Sequence, residues 1–197
     1  MKISGIVLAG GESKRFGAPK AFAIHNEKYF YEHICEVLRP YVDNIIIVTR
    51  PELLRRFRNH RIIMDDSQFK GMGPLAGLYS GMRSLSSEWY CVLACDMPMM
   101  DQQSVRSLVK AASKANGYEA VVPNIDGRVQ PLAAMYRENT VEILESLLVQ
   151  GKRKVGDFLN EIQVYNLNEQ VFGANSNSFI NVNTREDFAR LQEEEEL

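Results

Sequence analysis

The chain has 197 residues, of which 45% are hydrophobic and 24% charged, and this composition is typical of a globular protein with one packed core. Its net charge of −2 gives no indication of a nucleic-acid or membrane partner. No apolar run is long enough to predict a membrane span, and the first residues lack the pattern of a secretion signal. An odd number of cysteines, three, argues against a disulfide framework and favours the reducing cytoplasm.

Apolar, β-branched runs alternate with helical patterns in the first half of the chain. Such runs are nearly unbroken by polar residues, which is typical of parallel strands covered on both faces. The alternation predicts one α/β domain with a doubly wound, mostly parallel sheet of the Rossmann-like type. The predicted strands are Lys2–Leu8, Asn44–Thr49, Arg61–Met64 and Tyr90–Ala94, and the predicted helices lie near Phe30–Leu38, Glu52–Phe57, Pro74–Leu85 and Gln102–Ala115.

The second half is less regular. Thr140–Gln150 has a helical pattern, and Thr184 is expected to cap a final helix through Asp187. A run of glutamates at Glu193–Glu196 predicts a solvated C-terminal end. The predicted strands of this half are Ala120–Val122, Leu132–Tyr136, Gln163–Tyr165 and Phe179–Val182.

A loop that is rich in glycine and in basic residues follows the first strand directly. Gly10 and Gly11 carry no Cβ, so the backbone can turn sharply there and approach a ligand closely. A loop of this kind can direct successive N–H groups at an anion, and Lys14, Arg15 and Lys20 add positive charge. The loop lacks the Gly-Lys-Ser/Thr ending of a Walker A motif, and its adjacent glycines do not fit G-x-G-x-x-G. The sequence therefore predicts a polyphosphate site, with a solvated basic turn as the alternative.

Asp96 stands directly after a strand that is too apolar to face water. A carboxylate at such a position needs a partner, and Mg²⁺ bound to phosphate oxygens is a suitable one, because this ion usually takes one or two carboxylates together with phosphates and water. The alternative is a loop or helix-capping aspartate, since Pro98 and a helix near Asp101 follow. We expect Asp96 to bind the metal if the glycine loop binds phosphate.

Asp65 and Asp66 end another predicted strand, and either carboxylate could accept hydrogen bonds from a base or a ribose. A turn or capping pair is an equally good explanation. The following segment, Gly71-x-Gly73-x-x-Ala76, is a weak match to a dinucleotide fingerprint, because a six-residue loop precedes Gly71 and Pro74 removes a backbone donor.

Two groups in the second half could hold a second anionic substrate. Lys152, Arg153 and Lys154 form a basic turn, which a solvated helix C-terminus explains equally well. Asn181 and Asn183 would place two amides on one face of a short strand, where they could line a polar pocket or fix a turn.

The motifs together resemble a known family, the NTP transferases of the sugar-nucleotidyltransferase type, and within it the molybdenum cofactor guanylyltransferases. The resemblance runs from about Ile3 to about Ala189. It departs from the family at Phe16, where Met is common, and at the doubled carboxylate, where spacing does not decide between Asp65 and Asp66. The motifs are Leu8-Ala9-Gly10-Gly11-x-Ser13-x-Arg15-Phe16-Gly17-x-Pro19-Lys20, Gly73-Pro74-Leu75-Ala76-Gly77, Cys95-Asp96-Met97-Pro98, Gln130-Pro131-Leu132 and Asn181-Val182-Asn183-Thr184.

The resemblance implies a reaction in which GMP passes from GTP to the terminal phosphate of molybdenum-molybdopterin, with release of pyrophosphate. It implies Mg²⁺ as cofactor, held by Asp96, and catalytic roles for Arg15, Lys20 and Asp96. The nucleotide would contact Leu8, Ala9, Gly10, Gly11, Lys20, Asp65 or Asp66, and Asp96. Molybdopterin would contact Lys152, Arg153, Asn181 and Asn183.

By this interpretation residues 1–100 form the GTP-binding half of a single domain, residues 101–190 the second-substrate half, and residues 191–197 an acidic tail. The expected partners are the two substrates and, transiently, proteins that make or accept the cofactor. Three alternatives remain at this point: another NTP transferase such as a cytidylyltransferase or a sugar-phosphate enzyme, an NAD-dependent oxidoreductase that uses Gly71–Ala76, and a non-catalytic nucleotide-binding module.

Overall fold

A computed structural model describes residues 1–11, 13, 15–58 and 60–195, without the side chains of residues 174–176, 194 and 195. Its strands follow the alternation that the sequence predicts in the first half, and they continue through the second half. The strands are β1 (Ile3–Leu8), β2 (Ile24–His25), β3 (Lys28–Tyr29), β4 (Asn44–Thr49), β5 (Arg61–Met64), β6 (Trp89–Ala94), β7 (Ala120–Ile125), β8 (Arg128–Val129), β9 (Ala133–Arg137) and β10 (Val164–Asn168).

In the described part of the chain, six α-helices connect or cover these strands. Pro74 occupies the first position of one helix. The Asp101 carboxylate caps another, because it accepts a hydrogen bond from the N–H of Ser104 at 2.6 Å. Both helices therefore begin where the sequence predicts. The helices are α1 (Phe30–Leu38), α2 (Pro74–Arg83), α3 (Gln102–Ala112), α4 (Val141–Val149), α5 (Val155–Leu159) and α6 (Arg185–Glu195).

One mixed sheet of eight strands organises the fold, in the order β10-β7-β9-β6-β1-β4-β5, with β8 paired to β7. Four neighbouring pairs are parallel, namely β1 with β4, β1 with β6, β4 with β5, and β7 with β10. β9 lies antiparallel to both of its neighbours. The mostly parallel, doubly wound sheet is therefore confirmed, with two reversed strands, β9 inside it and the short β8.

Helices cover both faces of the sheet. Val7 of β1 packs in a cluster with α1 and α3, while its neighbour Ile6 packs in a second cluster with α2, α4 and α5. This alternation follows from the two-residue period of a strand. Because both faces are buried, β1 has no polar face, and ligands can approach it only at its ends.

The sequence predictions differ from the structure at two segments. The predicted helix Glu52–Phe57 is a 3₁₀ helix, Pro51–Arg56, which begins at a proline. The predicted strand Phe179–Val182 is wrong: a 3₁₀ helix covers Gly173–Phe179, and irregular backbone follows it. In this irregular segment the backbone N–H of Val182 donates to the carbonyl of Asp96 at 2.8 Å and not to a neighbouring strand.

Close packing of α2 on β1 depends on Gly81. A Cβ on this residue would lie 2.7 Å from Cγ2 of Ile6, a stiff β-branched side chain that is completely buried. Gly156 in α5 is a matched contrast, because a Cβ there would meet no atom within 4 Å.

We therefore expect Gly81→Ala to destabilise the protein by about 1–3 kcal/mol, the usual range for overpacking a core. Gly156→Ala should leave stability unchanged or raise it by up to about 1 kcal/mol, because alanine favours helix. Urea unfolding of both variants measures the difference. Equal stability of the two variants would show that α2 can move away from β1 at little cost.

Candidate active site

The candidate site lies where the chain changes direction across the sheet. From β1 the chain builds β4 and β5 on one side, and it then returns to place β6 on the other side of β1. Leu8 and Ala94 are neighbours at the ends of β1 and β6, and the N–H of Cys95 donates to the carbonyl of Leu8 at 3.0 Å. The loops that carry Gly10 and Asp96 therefore start side by side, at the kind of crevice where ligands bind in open α/β sheets.

A cleft of about 580 Å³ opens at this point. Its residues come from the end of β1 and the glycine loop, from the ends of β4 and β6, from the segment between β5 and α2 with the start of α2, and from the segments before β9 and α6. The lining residues are Leu8, Ala9, Gly10, Gly11, Ser13, Arg15, Pro19, Lys20, Ala21, Val48, Asp65, Gly71, Gly73, Pro74, Gly77, Ala94, Cys95, Asp96, Leu132 and Asn183.

The glycine loop is folded around Ser13, whose φ of 52° is in the left-handed region. The Ser13 carbonyl accepts hydrogen bonds from the N–H groups of Phe16 and Gly17, at 3.0 and 3.1 Å. Its hydroxyl accepts from the N–H of Lys20 at 3.2 Å. These bonds bring the two ends of the loop together, so Lys20 returns to the cleft that Gly10 enters. Lys14, one of the basic residues of this loop, lies outside the described residues.

Lys20, Asp96 and Asn183 form the polar centre of the cleft. The Lys20 ammonium donates to Oδ2 of Asp96 at 2.5 Å and to Oδ1 of Asn183 at 3.1 Å. The exposed fraction of the Lys20 side chain is 11% and that of Asp96 is 20%. Three residues that are far apart in the sequence thus meet in a partly desolvated place, where charge interactions are stronger than in bulk water.

The second carboxylate oxygen of Asp96 has an unusual environment. Oδ1 is buried and has no hydrogen-bond partner among the described residues. A buried oxygen without a partner is costly, and it marks a place where an ion or water is expected. No cluster of three or more His, Cys, Asp or Glu side chains among the described residues could form a complete metal cage. This donor set fits Mg²⁺, which usually completes its coordination with substrate phosphates and water.

The structure distinguishes the two adjacent aspartates. Asp65 lines the cleft, and burial raises the pKa of its carboxyl, while a hydrogen bond from the Gly71 N–H lowers this pKa. Asp66 is exposed; its carboxylate accepts from the N–H of Gln68 at 2.9 Å and caps a short 3₁₀ helix. Of the two carboxylates, that of Asp65 is the one placed to meet a ligand.

The segment before α6 carries Asn183 into the cleft, and Asp187 holds it there. The Asp187 carboxylate accepts from the N–H groups of Asn183 and Thr184, at 2.9 and 2.8 Å, and the Thr184 hydroxyl accepts from the Asp187 N–H at 3.0 Å. This reciprocal pair is a capping box, and the hydrogen bonds to its carboxylate lower the pKa of Asp187.

The remaining predicted site residues lie at the edge of the cleft or beyond it. Arg15 lines the cleft with an exposed side chain. Lys152 and Arg153 are exposed in the turn after α4, and a Cβ built on Gly73 would lie 3.7 Å from the carbonyl oxygen of Arg153. Neither these two residues nor Asn181 belongs to the lining of the described cleft. Any contact of these three residues with a second substrate would therefore be made at the rim of the cleft.

Two residues outside the lining support the site. The sequence predicted a final helix that Thr184 caps through Asp187, and the structure has both residues at the start of that helix. Arg185 was missed, because no local pattern signals its contact: its Nε donates to the carbonyl of Phe16 at 3.1 Å, across a separation of 169 residues. Arg185 thereby ties the glycine loop to the segment that carries Asn183.

Comparisons with known proteins agree with this geometry. The profile of the MobA-like NTP transferase domain matches residues 5–165. A protein of Geobacillus sp. (strain WCH70) named "Probable molybdenum cofactor guanylyltransferase" is 41% identical over 190 residues, which cover 95% of this chain and 96% of the relative. A protein of the same name from Bacillus mycoides (strain KBAB4) is 39% identical over 196 residues, 98% of this chain and 97% of the relative.

A solved structure shows the same fold. The crystal structure of molybdopterin-guanine dinucleotide biosynthesis protein A from Archaeoglobus fulgidus aligns with a TM-score of 0.82 and 30% identity, and it covers 96% of this chain and 97% of that one. At this identity and coverage the likeness includes the sequence as well as the fold.

The capping box predicts a pH-dependent contribution to stability. Because the pKa of Asp187 is lowered from 3.8 in the folded state, its carboxylate stabilises the protein at neutral pH, and this contribution is lost as the pH falls through the folded pKa. Asp187→Asn should cost about 1 kcal/mol at pH 7. The cost should begin to shrink as the pH falls below 3.8, and it should continue to shrink as the pH falls through the lowered pKa of the folded protein.

Urea unfolding of wild type and variant from pH 7 to pH 3 measures this change. Glu186→Gln is the matched control, because Glu186 is an exposed acid in the same helical turn. A stability difference for Asp187→Asn that stays constant down to pH 3 would contradict the assignment.

Proposed function

The chain belongs to the MobA-like NTP transferase family, and we propose that it transfers GMP from GTP to the terminal phosphate of molybdenum-molybdopterin, with release of pyrophosphate. The observation that carries this proposal is the meeting of Lys20, Asp96 and Asn183 beside the glycine loop. The names of the relatives support the choice of nucleotide and acceptor.

The proposed step is one displacement at phosphorus. An oxygen of the terminal phosphate of molybdopterin attacks the α-phosphorus of GTP, and a new P–O bond forms. The bond from the α-phosphorus to the bridging oxygen breaks, and pyrophosphate leaves with the electron pair. No covalent intermediate with the protein is needed, so the protein contributes alignment of two polyanions and neutralisation of their charge.

The side chains that neutralise charge are those of Lys20 and Arg15. Lys20 is held between Asp96 and Asn183, so its ammonium has a fixed position before the nucleotide arrives. Fixed charges of this kind stabilise a transition state without reorganisation during the reaction. Arg15 has an exposed side chain on the cleft wall, and we assign it to the triphosphate chain.

Asp96 is the residue that would hold Mg²⁺, through the buried oxygen Oδ1. A bound Mg²⁺ would offset the negative charge of the phosphate oxygens. Because Oδ2 already bonds to Lys20, Asp96 would hold the cation and position the ammonium through different oxygens of one carboxylate.

We assign the nucleotide to the wall formed by Leu8, Ala9, Gly10 and Gly11, with Asp65 placed to accept hydrogen bonds from guanosine. The half-buried position of Asp65 suits such a role, because buried acceptors that are left unpaired penalise a wrong ligand.

We assign the second substrate to the side of Asn183, with Asn181, Lys152 and Arg153 along its rim. The division of the domain into a nucleotide half, residues 1–100, and an acceptor half, residues 101–190, follows from these assignments. Leu132 and Asn183 are the contributions of the second half to the lining of the described cleft.

We further propose that the enzyme works in the cytoplasm and meets other proteins of cofactor synthesis or use there. Cys35, Cys91 and Cys95 are all buried free thiols, which suits a reducing compartment. Among the described helices, none has the length and apolar character that crossing a membrane requires.

The reaction is tested by measuring pyrophosphate release with Mg²⁺, molybdenum-molybdopterin and each nucleotide in turn. GTP should give a kcat/KM about a hundredfold or more above those for CTP and ATP, since a site that hydrogen-bonds one base leaves buried groups unpaired with another. Equal values for GTP and CTP would assign the chain to a different NTP transferase. An absence of pyrophosphate release with every nucleotide would leave only nucleotide binding.

The role of Asp96 is tested by Asp96→Asn, which removes a charge and little volume. Turnover at saturating Mg²⁺ should fall about 100- to 1,000-fold, because the change removes the negative charge that would bind the cation and that pairs with Lys20. Asp66→Asn is the matched control, since this exposed aspartate only caps a turn and its replacement should retain near-normal turnover. Wild-type turnover in Asp96→Asn would overturn the assignment.

A further inference from the structure

A second groove lies on the other half of the molecule, between α3 and the edge strand β10. Its volume is about 630 Å³, and none of its lining residues belongs to the candidate active site. The proposed reaction uses none of the residues that line this groove.

One wall of the groove is a stripe of positive charge. Arg106, Lys110 and Lys114 recur every four residues along α3 and the turn after it, and all three are exposed. None of them forms an ion pair within 4.0 Å with any residue that the structure describes. Three unpaired cations on a chain with a net charge of −2 form a local field opposite in sign to that of the whole protein.

The opposite wall of the groove is aromatic and aliphatic. The rings of Tyr118 and Tyr165 lie 5.3 Å apart, and the two residues are 39% and 40% exposed. Leu167 is buried beside them, and Val171 remains 49% exposed. Apolar surface next to unpaired charge is typical of protein-binding patches, where aromatic residues and arginine are enriched.

The sheet ends at this groove. β10 is the last strand in the order and pairs only with β7 among the described strands. The carbonyl of Gln163 accepts from the N–H of Ala120 at 3.2 Å, so the backbone of Gln163 faces β7. Because successive residues of a strand face opposite sides, the N–H and C=O groups of Val164 and Asn166 point away from β7, towards the free edge. An open edge of this kind is a template for another strand.

We propose that this groove binds an extended acidic segment of a partner protein, which adds to β10 as a further strand. Residues two apart on a strand face the same side at a spacing of about 6.6–6.8 Å. Four residues of helix span about 6 Å. Alternate carboxylates of the added strand therefore match the spacing of Arg106, Lys110 and Lys114, while its backbone bonds to the free edge.

The test measures binding of a short fluorescent peptide, in which Glu alternates with Thr, to the full-length protein by anisotropy. The triple variant Arg106→Glu, Lys110→Glu and Lys114→Glu should weaken binding about tenfold or more, because three attractions become repulsions. The triple variant Lys2→Glu, Arg55→Glu and Arg83→Glu is the matched control, with the same change of net charge at exposed sites elsewhere. It should bind nearly as wild type does.

Further arms separate the alternatives. Asn166→Pro, which removes an outward N–H of β10, should also weaken binding, and a peptide with Lys in place of Glu should not bind.

Equal loss in the two triple variants, or full binding by Asn166→Pro, would overturn the proposal. Tighter binding of a single-stranded RNA than of the acidic peptide would overturn it in favour of nucleic acid. Pyrophosphate release should be unchanged in the Arg106, Lys110 and Lys114 variant, so this test is independent of the proposed reaction.

Discussion

The ion pair between Lys20 and Asp96 holds together two loops that lie 76 residues apart in the chain. Both side chains are largely withdrawn from water, so each charge depends on the other for its solvation. Oδ1 of Asp96 has no such compensation among the described residues, and a buried unpaired oxygen costs free energy. The fold tolerates this cost at the place where a ligand would remove it, which is a recurring feature of functional sites.

Support for this pair comes from the second half of the chain. The backbone of Val182 bonds to the carbonyl of Asp96, and the guanidinium of Arg185 bonds to the carbonyl of Phe16. Val182 and Phe16 also pack in one small apolar cluster with Phe30 and Leu191. The proposed ligand assignment divides the chain into two halves, but these contacts from the second half stabilise the loops of the first.

The sequence predicted the strands of the first half closely because each is an apolar run that ends in a polar or glycine-rich turn. It failed at Phe179–Val182, since a short apolar run has the same appearance whether its backbone donors pair with a strand or with a loop. Asp65 and Asp66 show the same limit: both follow a strand, and their roles differ only in the folded protein, where Asp65 lines the cleft and the exposed Asp66 accepts the capping bond from Gln68. A contact such as that of Arg185 with Phe16 leaves no local pattern at all.

The bond from Val182 to Asp96 has a consequence for how the protein is made. Synthesis proceeds from the amino terminus, so the central strands β1, β4, β5 and β6 emerge well before residue 182 exists. A growing chain can therefore pair its parallel strands, but it lacks the N–H that fixes the Asp96 loop and the amide that positions Lys20. The polar centre of the cleft is therefore completed only once Asn183 has been synthesised, long after the strands that flank the cleft.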